Sequence, residues 1–318
     1  MKNHNWNLST LEKEGMDEGK INEFINLIET EDQPIHDLVI IKNGNLVRNI
    51  GFNKYSNEDK HPIYSCSKSI TSILIGKAIE QGLIKDINQK VLDYFPEIMI
   101  NKENRDIEKM TIENLLTMST GLKWYDNENY DEMWESDDPV KYFFSRPLEC
   151  IPGNKFNYCS GVVHILQFIL EKVTGEDVLS FSKRILFDPL DISDILWEKE
   201  DNGILGSIEI APLDMAKVGY MYLKNGMWKG KEIINEQWTK ASTAKHIDTP
   251  NNLNEVTNFG AGYGYLWWKN NFGGFHANGF GGQYTFVVPE LDLVVVFTGE
   301  AFGEDFFLPQ IAMEKYIV

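Results

Sequence analysis

The sequence predicts an α+β fold in which strands from both ends of the chain form one antiparallel sheet, with helices between them. Two apolar stretches, 38–41 and 46–50, flank Asn43-Gly44, a dipeptide typical of two-residue β-hairpin turns. The middle of the chain repeats apolar residues at helical spacing. The last part of the chain instead contains short segments rich in Tyr, Trp, Phe and Val, separated by turn residues, which predict strands at 262–269, 274–278, 283–288 and 291–298.

Helical spacing of apolar residues predicts the remaining elements. An amphipathic helix over 8–30 precedes the hairpin, and a helix over 65–82, apolar nearly all round, follows it. The stretch 124–138 is aromatic and acidic and is predicted to be a long loop. Further helices are predicted within 111–122, 161–175, 180–197, 212–223, 234–241 and 305–316.

The composition restricts the possible classes of function. The chain has 318 residues, a formal net charge of −18 and 42% hydrophobic residues, which is typical of one large globular domain or two closely packed ones. The acidic charge and the lack of a basic cluster argue against nucleic acid and membrane surfaces as partners. Residues 1–10 are polar, no apolar run reaches membrane-spanning length, and three cysteines make no disulfide framework. We therefore expect a cytoplasmic protein.

The start of the apolar helix over 65–82 carries groups suited to nucleophilic catalysis. Ser65 and Lys68 stand three residues apart and therefore share one face of that helix. A serine hydroxyl becomes a good nucleophile when a neighbouring base takes its proton. Free N–H groups at a helix N-terminus also favour negative charge that develops nearby. Ser-x-x-Lys is common by chance, so the pair gains weight only from its buried context and from other motifs.

Further motifs follow in a recognisable order along the chain. They are SCSK at 65–68, LLTMSTGL at 115–122, PGNKFNYCS at 152–160, DMAKVGY at 214–220, GMWKG at 226–230 and GFGGQ at 279–283. Together they resemble the serine β-lactamase-like superfamily, over about residues 10–318. The most similar branch is the one related to class C β-lactamases, with its esterases and 6-aminohexanoate-oligomer hydrolases.

The resemblance implies a β-lactamase/transpeptidase-like fold made of two parts. Residues 1–82 and 201–318 would form the mixed domain with the antiparallel sheet, and residues 83–200 an inserted, mostly helical domain. The active site would lie in the cleft between them.

The resemblance also implies roles for residues at matching positions. Ser65 would be the nucleophile that forms an acyl-enzyme, Lys68 its base, and Tyr158 a second proton-transfer group. The backbone N–H groups of Ser65 and Phe280 would form the oxyanion hole. Further substrate contacts are expected from Ser160, Ala277, Asn278 and Gly279, and from Trp124 in the predicted loop.

The chain departs from the resemblance at one motif. Relatives that handle penicillins or peptidoglycan carry Lys or His, any residue, then Gly, where this chain has Ala277-Asn278-Gly279. His276 lies one position early, and on a strand its side chain would face the opposite way. The cation that usually holds a substrate carboxylate is therefore missing, which favours a small ester or amide as substrate. A penicillin-recognising enzyme (β-lactamase or D-alanyl-D-alanine carboxypeptidase) and a catalytically idle binding protein remain alternatives.

Other kinds of site are not indicated. The six histidines show no His-Glu-x-x-His or cysteine-pair spacing, so neither a metal ion nor a cofactor is predicted. Cys66 and Cys159 lie beside predicted catalytic residues, where small buried cysteines are more often packing residues than nucleophiles. The sequence does not indicate an oligomeric state.

Overall fold

The computed structural model describes residues 6–31, 33–250 and 261–318. The strands, in chain order, are β1 (Asn7–Leu8), β2 (Ile35–Lys42), β3 (Asn45–Gly51), β4 (His61–Pro62), β5 (Glu209–Ile210), β6 (Met227–Trp228), β7 (Lys231–Glu232), β8 (Trp268–Lys269), β9 (Phe275–Gly279), β10 (Gln283–Val288) and β11 (Leu293–Gly299). Seven of them form one sheet in the order β1-β3-β2-β11-β10-β9-β8. β1 pairs with β3 in parallel, and the other neighbours in this sheet are antiparallel.

Helices cover both faces of this sheet. They are α1 (Glu18–Glu31), α2 (Cys66–Glu80), α3 (Ile112–Leu116), α4 (Asp126–Trp134), α5 (Pro139–Ser145), α6 (Gly161–Thr174), α7 (Val178–Ser182), α8 (Pro212–Leu223), α9 (Glu236–Thr243) and α10 (Leu308–Ala312). A 3-10 turn over Gly303–Phe307 and a π-type turn over Met313–Ile317 flank α10, so the end of the chain is helical as predicted.

Alternation along the strands produces two apolar layers. On β2, Leu38 and Ile40 belong to the layer under α1 and the C-terminal helical segment, whereas Val39 and Ile41 belong to the layer that contains α2 and α8. The second layer continues without interruption into the helical segment around α6. Helix α2 is buried along almost its whole length between β9 and α6, and this places its N-terminus at one edge of the sheet.

The predicted α+β fold with one antiparallel sheet made from both chain ends is confirmed. The hairpin is confirmed too: β2 and β3 pair, with Asn43 at φ 50° and Gly44 at φ 78° in the turn. Both positive angles are those of a type I′ turn, which Asn-Gly adopts readily.

Three predicted elements were wrong in extent or type. The helix predicted over 8–30 begins only at Glu18, because Gly15 turns the chain at φ 74° and residues 7–8 form β1. The strand predicted over 262–269 is limited to 268–269, because Leu266 has φ 62°, which an extended strand does not allow. The loop predicted over 124–138 contains α4, and Asp138 caps the start of α5 by accepting from the Lys141 N–H.

The division into residues 1–82 with 201–318 and 83–200 stays a prediction, as does the cytoplasmic location. Residues 1–5, which include His4, together with residues 32 and 251–260, lie outside the described residues. Among the residues that the structure describes, no helix is both long and apolar enough to cross a membrane.

Candidate active site

Ser65 and Lys68 are in direct contact at the N-terminus of α2. Ser65 is the residue immediately before the helix, and Lys68 lies in its first turn. The Lys68 Nζ atom is 2.6 Å from Ser65 Oγ, and the lysine side chain is buried. A contact this short allows a proton to move between the two groups. The pair predicted from sequence spacing therefore exists as a hydrogen-bonded unit.

The backbone before Ser65 is held in an unusual conformation. Tyr64 has φ 45°, a left-handed angle that is rare for a large side chain and costs about 1–3 kcal/mol. Its N–H donates to Ser207 Oγ at 2.6 Å, and its carbonyl accepts from the hydroxyl of Ser67 at 2.6 Å. These bonds hold the strained turn, which lets Ile63 point into the core while Ser65 faces the cleft described below.

Tyr158 lies beside this pair, in the loop that precedes α6. The Lys68 Nζ atom is 5.2 Å from the centroid of the Tyr158 ring, a cation–π distance. The ring also stacks on Trp268, with centroids 5.9 Å apart and planes 17° apart. The structure thus brings Tyr158 next to Ser65 and Lys68, although Ser65 and Tyr158 are 93 positions apart in the sequence.

Asp126, at the start of α4, holds the Tyr158 loop in place. Its carboxylate accepts hydrogen bonds from the Ser160 N–H at 2.6 Å, the Ser160 hydroxyl at 2.7 Å and the Trp124 indole N–H at 2.8 Å. Bonds to an ionised acceptor are stronger than neutral ones. The Ser160 hydroxyl donates its proton to Asp126, and Ser160 lines the cleft, whereas Trp124 is buried below the cleft surface. The predicted substrate contact by Trp124 does not fit this placement.

Asp126 was not among the predicted site residues, because the stretch around it was predicted to be a loop. Tyr130, Met133 and Trp134 are spaced as on one face of a helix, and Met133 is fully buried. That spacing was the available signal for α4. Nothing in the local sequence distinguishes Asp126 from its acidic neighbours on the same helix.

Strand β9 approaches Ser65 so closely that only glycine fits at position 279. A Cβ atom added to Gly279 would lie 2.2 Å from the Ile63 carbonyl oxygen and 3.1 Å from the Ser65 nitrogen. Gly279 and Asn278 line the cleft, and their contact with a substrate stays a prediction. Ala277 does not line it, because its side chain points between the sheet and α2, near Cys66 and Ile70.

His276 lies on the other face of β9, where the alternation along the strand predicts it. Its ring packs against Phe286 at 5.2 Å and Tyr284 at 5.7 Å, on the side of the sheet away from α2. Full burial lowers the pKa of His276 to about 3. His276 therefore cannot supply the cation that Ala277 lacks.

The turn after β9 is fixed by Gln283, a buried side chain at the start of β10. Its Nε2 atom donates to the carbonyl of Gly299 at 2.6 Å and lies 3.3 Å from the carbonyls of Phe280 and Gly281. In the described parts of the chain, no protein acceptor bonds to the N–H of Ser65 or of Phe280. Both amides are therefore available to an oxygen atom of a bound molecule.

These residues open onto a cleft with a volume of about 850 Å³. The aromatic residues Phe, Tyr and Trp that line it are Tyr64, Tyr130, Trp134, Tyr158, Trp268, Phe280 and Phe306. Among the described residues that line it, Lys68 is the only lysine or arginine, while Asp126 and Asp131 contribute carboxylates. Burial lowers the pKa of His164 in the wall to about 3, so its imidazole is neutral.

The cysteines beside these side chains are packing residues. Cys66 and Cys159 are both buried and free. Burial raises the pKa of the Cys66 and Cys159 thiols, which keeps them protonated and unreactive.

In the described residues, no group of three or more His, Cys, Asp or Glu side chains could hold a metal ion.

The motif order and this geometry agree with a comparison against known protein families. A family model described as Beta-lactamase matches residues 24–312. The chain belongs to the beta-lactamase family. Membership confirms the resemblance seen in the sequence.

Among characterised members, the 6-aminohexanoate-dimer hydrolase of Paenarthrobacter ureafaciens is 25% identical over 262 residues, which span 76% of this chain and 66% of that relative. The chain thus spans slightly less than two thirds of this relative's length. The octameric penicillin-binding protein homologue from Pyrococcus abyssi superposes with a TM-score of 0.68 at 21% identity, over 94% of this chain and 78% of that one. A family VIII carboxylesterase superposes with a TM-score of 0.67 at 15% identity, over 89% and 91%. These structural likenesses confirm the β-lactamase/transpeptidase-like fold.

Proposed function

We propose that the protein hydrolyses a small ester or amide through an acyl-enzyme on Ser65. The observation that carries this proposal is the 2.6 Å contact between Lys68 Nζ and Ser65 Oγ at the wall of the cleft. The nitrogen of a lysine in this position can take the serine proton as the oxygen attacks a carbonyl carbon. Names among the relatives, a 6-aminohexanoate-dimer hydrolase and a carboxylesterase, support amide or ester chemistry.

The proposed reaction has two stages. In the first, the Ser65 oxygen bonds to the carbonyl carbon, its proton passes to Lys68, and the Tyr158 hydroxyl gives a proton to the departing alcohol or amine. In the second, a water molecule attacks the carbonyl carbon of the ester on Ser65 and gives a proton to the Tyr158 oxygen. The bond from that carbon to Ser65 Oγ then breaks, Ser65 Oγ takes back the proton held by Lys68, and the carboxylic acid leaves. The contact of Lys68 with the Tyr158 ring supports a shared role for the two groups.

The oxyanion formed in each stage would be held by the N–H groups of Ser65 and Phe280. Support comes from the close approach of β9 at Gly279, which places its backbone next to the Ser65 amide. Losing one such donor typically lowers kcat about 100- to 1,000-fold. Gln283 contributes by fixing the turn that carries Phe280.

The charges of the cleft favour a substrate without a carboxylate. Lys68 is bonded to Ser65, so the described part of the cleft offers an anion no free lysine or arginine. Asp131 is exposed at the cleft and would repel a negative group. These features argue against a penicillin-recognising enzyme, whose substrates carry a carboxylate, and they support a neutral ester or amide.

Hydrolysis of a short-chain p-nitrophenyl ester tests this function, with a chromogenic cephalosporin assayed in parallel. We expect turnover of the ester alone, and its loss in Ser65→Ala. Ser69→Ala is the matched control, because the Ser69 hydroxyl is buried on the same helix and donates to the Leu266 carbonyl outside the cleft. Wild-type turnover in Ser65→Ala would refute the mechanism, and hydrolysis of the cephalosporin would refute the argument from cleft charge.

A further inference from the structure

Three aromatic side chains stand exposed at one end of the candidate site. The exposed fractions are 38% for Tyr64, 62% for Phe280 and 47% for Phe302. The rings of Tyr64 and Phe280 meet edge to face with centroids 5.7 Å apart, and those of Phe280 and Phe302 are 4.8 Å apart. We call these three residues the aromatic mouth. Exposed apolar clusters of this kind are unfavourable in water and commonly mark binding surfaces.

The aromatic mouth is tied directly to the reacting groups. Tyr64 precedes Ser65 in the chain, and Phe280 follows Gly279, whose backbone abuts the Ser65 amide. Any carbonyl group bonded to Ser65 and held by the two amides therefore lies beside these rings. The mouth is continuous with the cleft, since Tyr64 and Phe280 both line it.

The backbone keeps these rings at the surface. Two hydrogen bonds hold Tyr64 in its left-handed conformation: its N–H donates to the Ser207 hydroxyl, and its carbonyl accepts from the Ser67 hydroxyl. Phe302 rests on the turn after β9: a Cβ on Gly281 would lie 3.3 Å from its ring, and the N–H of Ala301 donates to the Gly281 carbonyl at 2.9 Å. The exposed arrangement is thus built into the turns that carry the catalytic backbone.

The position of Tyr158 indicates which part of the substrate meets the mouth. Tyr158 stacks on Trp268 and Lys68 lies over its ring, so the group that leaves with a proton from Tyr158 lies on that side. Tyr158 makes no ring contact with the three residues of the mouth in the described structure. The acyl group is then the portion of the substrate beside Tyr64 and Phe280.

We propose that the aromatic mouth is an acyl subsite that selects substrates with an apolar acyl group, aryl or long alkyl. This inference rests on the proposed function, since it assigns the acyl group of that same reaction. Such a group would cover the exposed rings of Tyr64, Phe280 and Phe302, and an aryl group would also stack on them. A short acyl group, such as acetyl, would leave the rings in water and gain nothing from them.

Acyl selectivity measured in variants tests the subsite. The values compared are kcat/KM for p-nitrophenyl phenylacetate and p-nitrophenyl acetate, which share a leaving group. We expect the ratio of these values to fall about tenfold in Phe302→Ala and in Tyr64→Ala. Met99→Ala is the control, because Met99 is 93% exposed at a site away from the cleft. An unchanged ratio in both mouth variants would overturn the proposal. A fall in kcat/KM seen only across a series of esters that differ in the leaving group would overturn it too.

A binding measurement separates failure of the subsite from failure of the proposed chemistry. Phenylacetamide and acetamide are titrated against Ser65→Ala, which cannot form an acyl-enzyme, with and without Phe302→Ala. About tenfold weaker binding of phenylacetamide in the double variant supports the subsite even if no ester is turned over. Equal binding in the two proteins overturns the subsite and leaves the proposed function untouched.

Discussion

Replacing Gly279 by alanine tests how far the candidate site depends on the close approach of β9 to Ser65. The added Cβ would lie 2.2 Å from the Ile63 carbonyl oxygen and 3.1 Å from the Ser65 nitrogen, and both of these are backbone atoms that cannot rotate away. An ordinary carbon–oxygen contact is about 1 Å longer than the first distance. The strand and the turn before Ser65 must therefore separate by roughly 1 Å.

A displacement of this size would act on the proposed oxyanion hole. Misplacement by about 1 Å can cost about 100-fold in rate, and removal of one oxyanion donor costs about 100- to 1,000-fold. We expect Gly279→Ala to lower kcat for a p-nitrophenyl ester at least 100-fold. The backbone of Gly279 has no positive φ, so the loss would come from the contact and not from dihedral strain.

Gly219→Ala is the matched control for this change. A Cβ there would lie 2.8 Å from Thr285 and Val294 side-chain carbons, where α8 packs on the sheet away from the cleft. Such overpacking typically costs about 1–3 kcal/mol of stability. Urea unfolding should show destabilised protein in both variants, while only Gly279→Ala loses kcat. Wild-type kcat in folded Gly279→Ala would show that turnover does not depend on the close approach of β9 to Ser65.

Three further predictions concern proton transfer, loop position and acid stability. Lys68→Ala should lower the rate of ester acylation about 100- to 10,000-fold, because the proton acceptor of Ser65 is lost. The amplitude and rate of the stopped-flow burst measure acylation. The control is Lys77→Ala, which lies on the same helix outside the cleft and should acylate at the wild-type rate. Asp126→Asn should lower the free energy of unfolding by about 1–3 kcal/mol, since charge-assisted bonds to the Ser160 loop are lost. The control is Asp131→Asn, which breaks no ion pair among the described residues and should leave the free energy of unfolding unchanged. Burial lowers the pKa of His164 from 6.5 to about 3, so between these values the unfolded chain binds a proton that the folded chain does not. The free energy of unfolding should therefore fall as the pH drops from about 6.5 toward 3. His164→Phe should flatten this fall in urea titrations, and an identical pH profile in the variant would contradict a role of His164 in acid stability.

Local signals in the sequence were enough to predict the elements that carry the catalytic groups. Spacing alone placed Ser65 and Lys68 on one helical face, because residues three apart in a helix are neighbours whatever the tertiary fold. Alternation along a strand placed His276 on the face opposite Ala277. Asn43-Gly44 fixed the first hairpin, since its conformational preference is intrinsic to the dipeptide.

Contacts made by tertiary packing could not be predicted in this way. The contact of Lys68 with Tyr158 depends on α6 packing against α2, and only the family resemblance pointed to it. The hold of Asp126 on Ser160 joins residues 34 positions apart, and no local pattern encodes it. Trp124 lies in a stretch with the aromatic composition typical of a cleft lining, yet its indole N–H donates to Asp126 beneath the surface.

Mapping of the covalently modified residue is the most direct test of Ser65 as the nucleophile. The protein is treated with a fluorophosphonate probe, its intact mass is measured, and the labelled peptide is sequenced by mass spectrometry. We expect a single adduct on Ser65, absent in Ser65→Ala and formed much more slowly in Lys68→Ala. An unlabelled wild-type protein, or an adduct on any other residue, would contradict this role of Ser65.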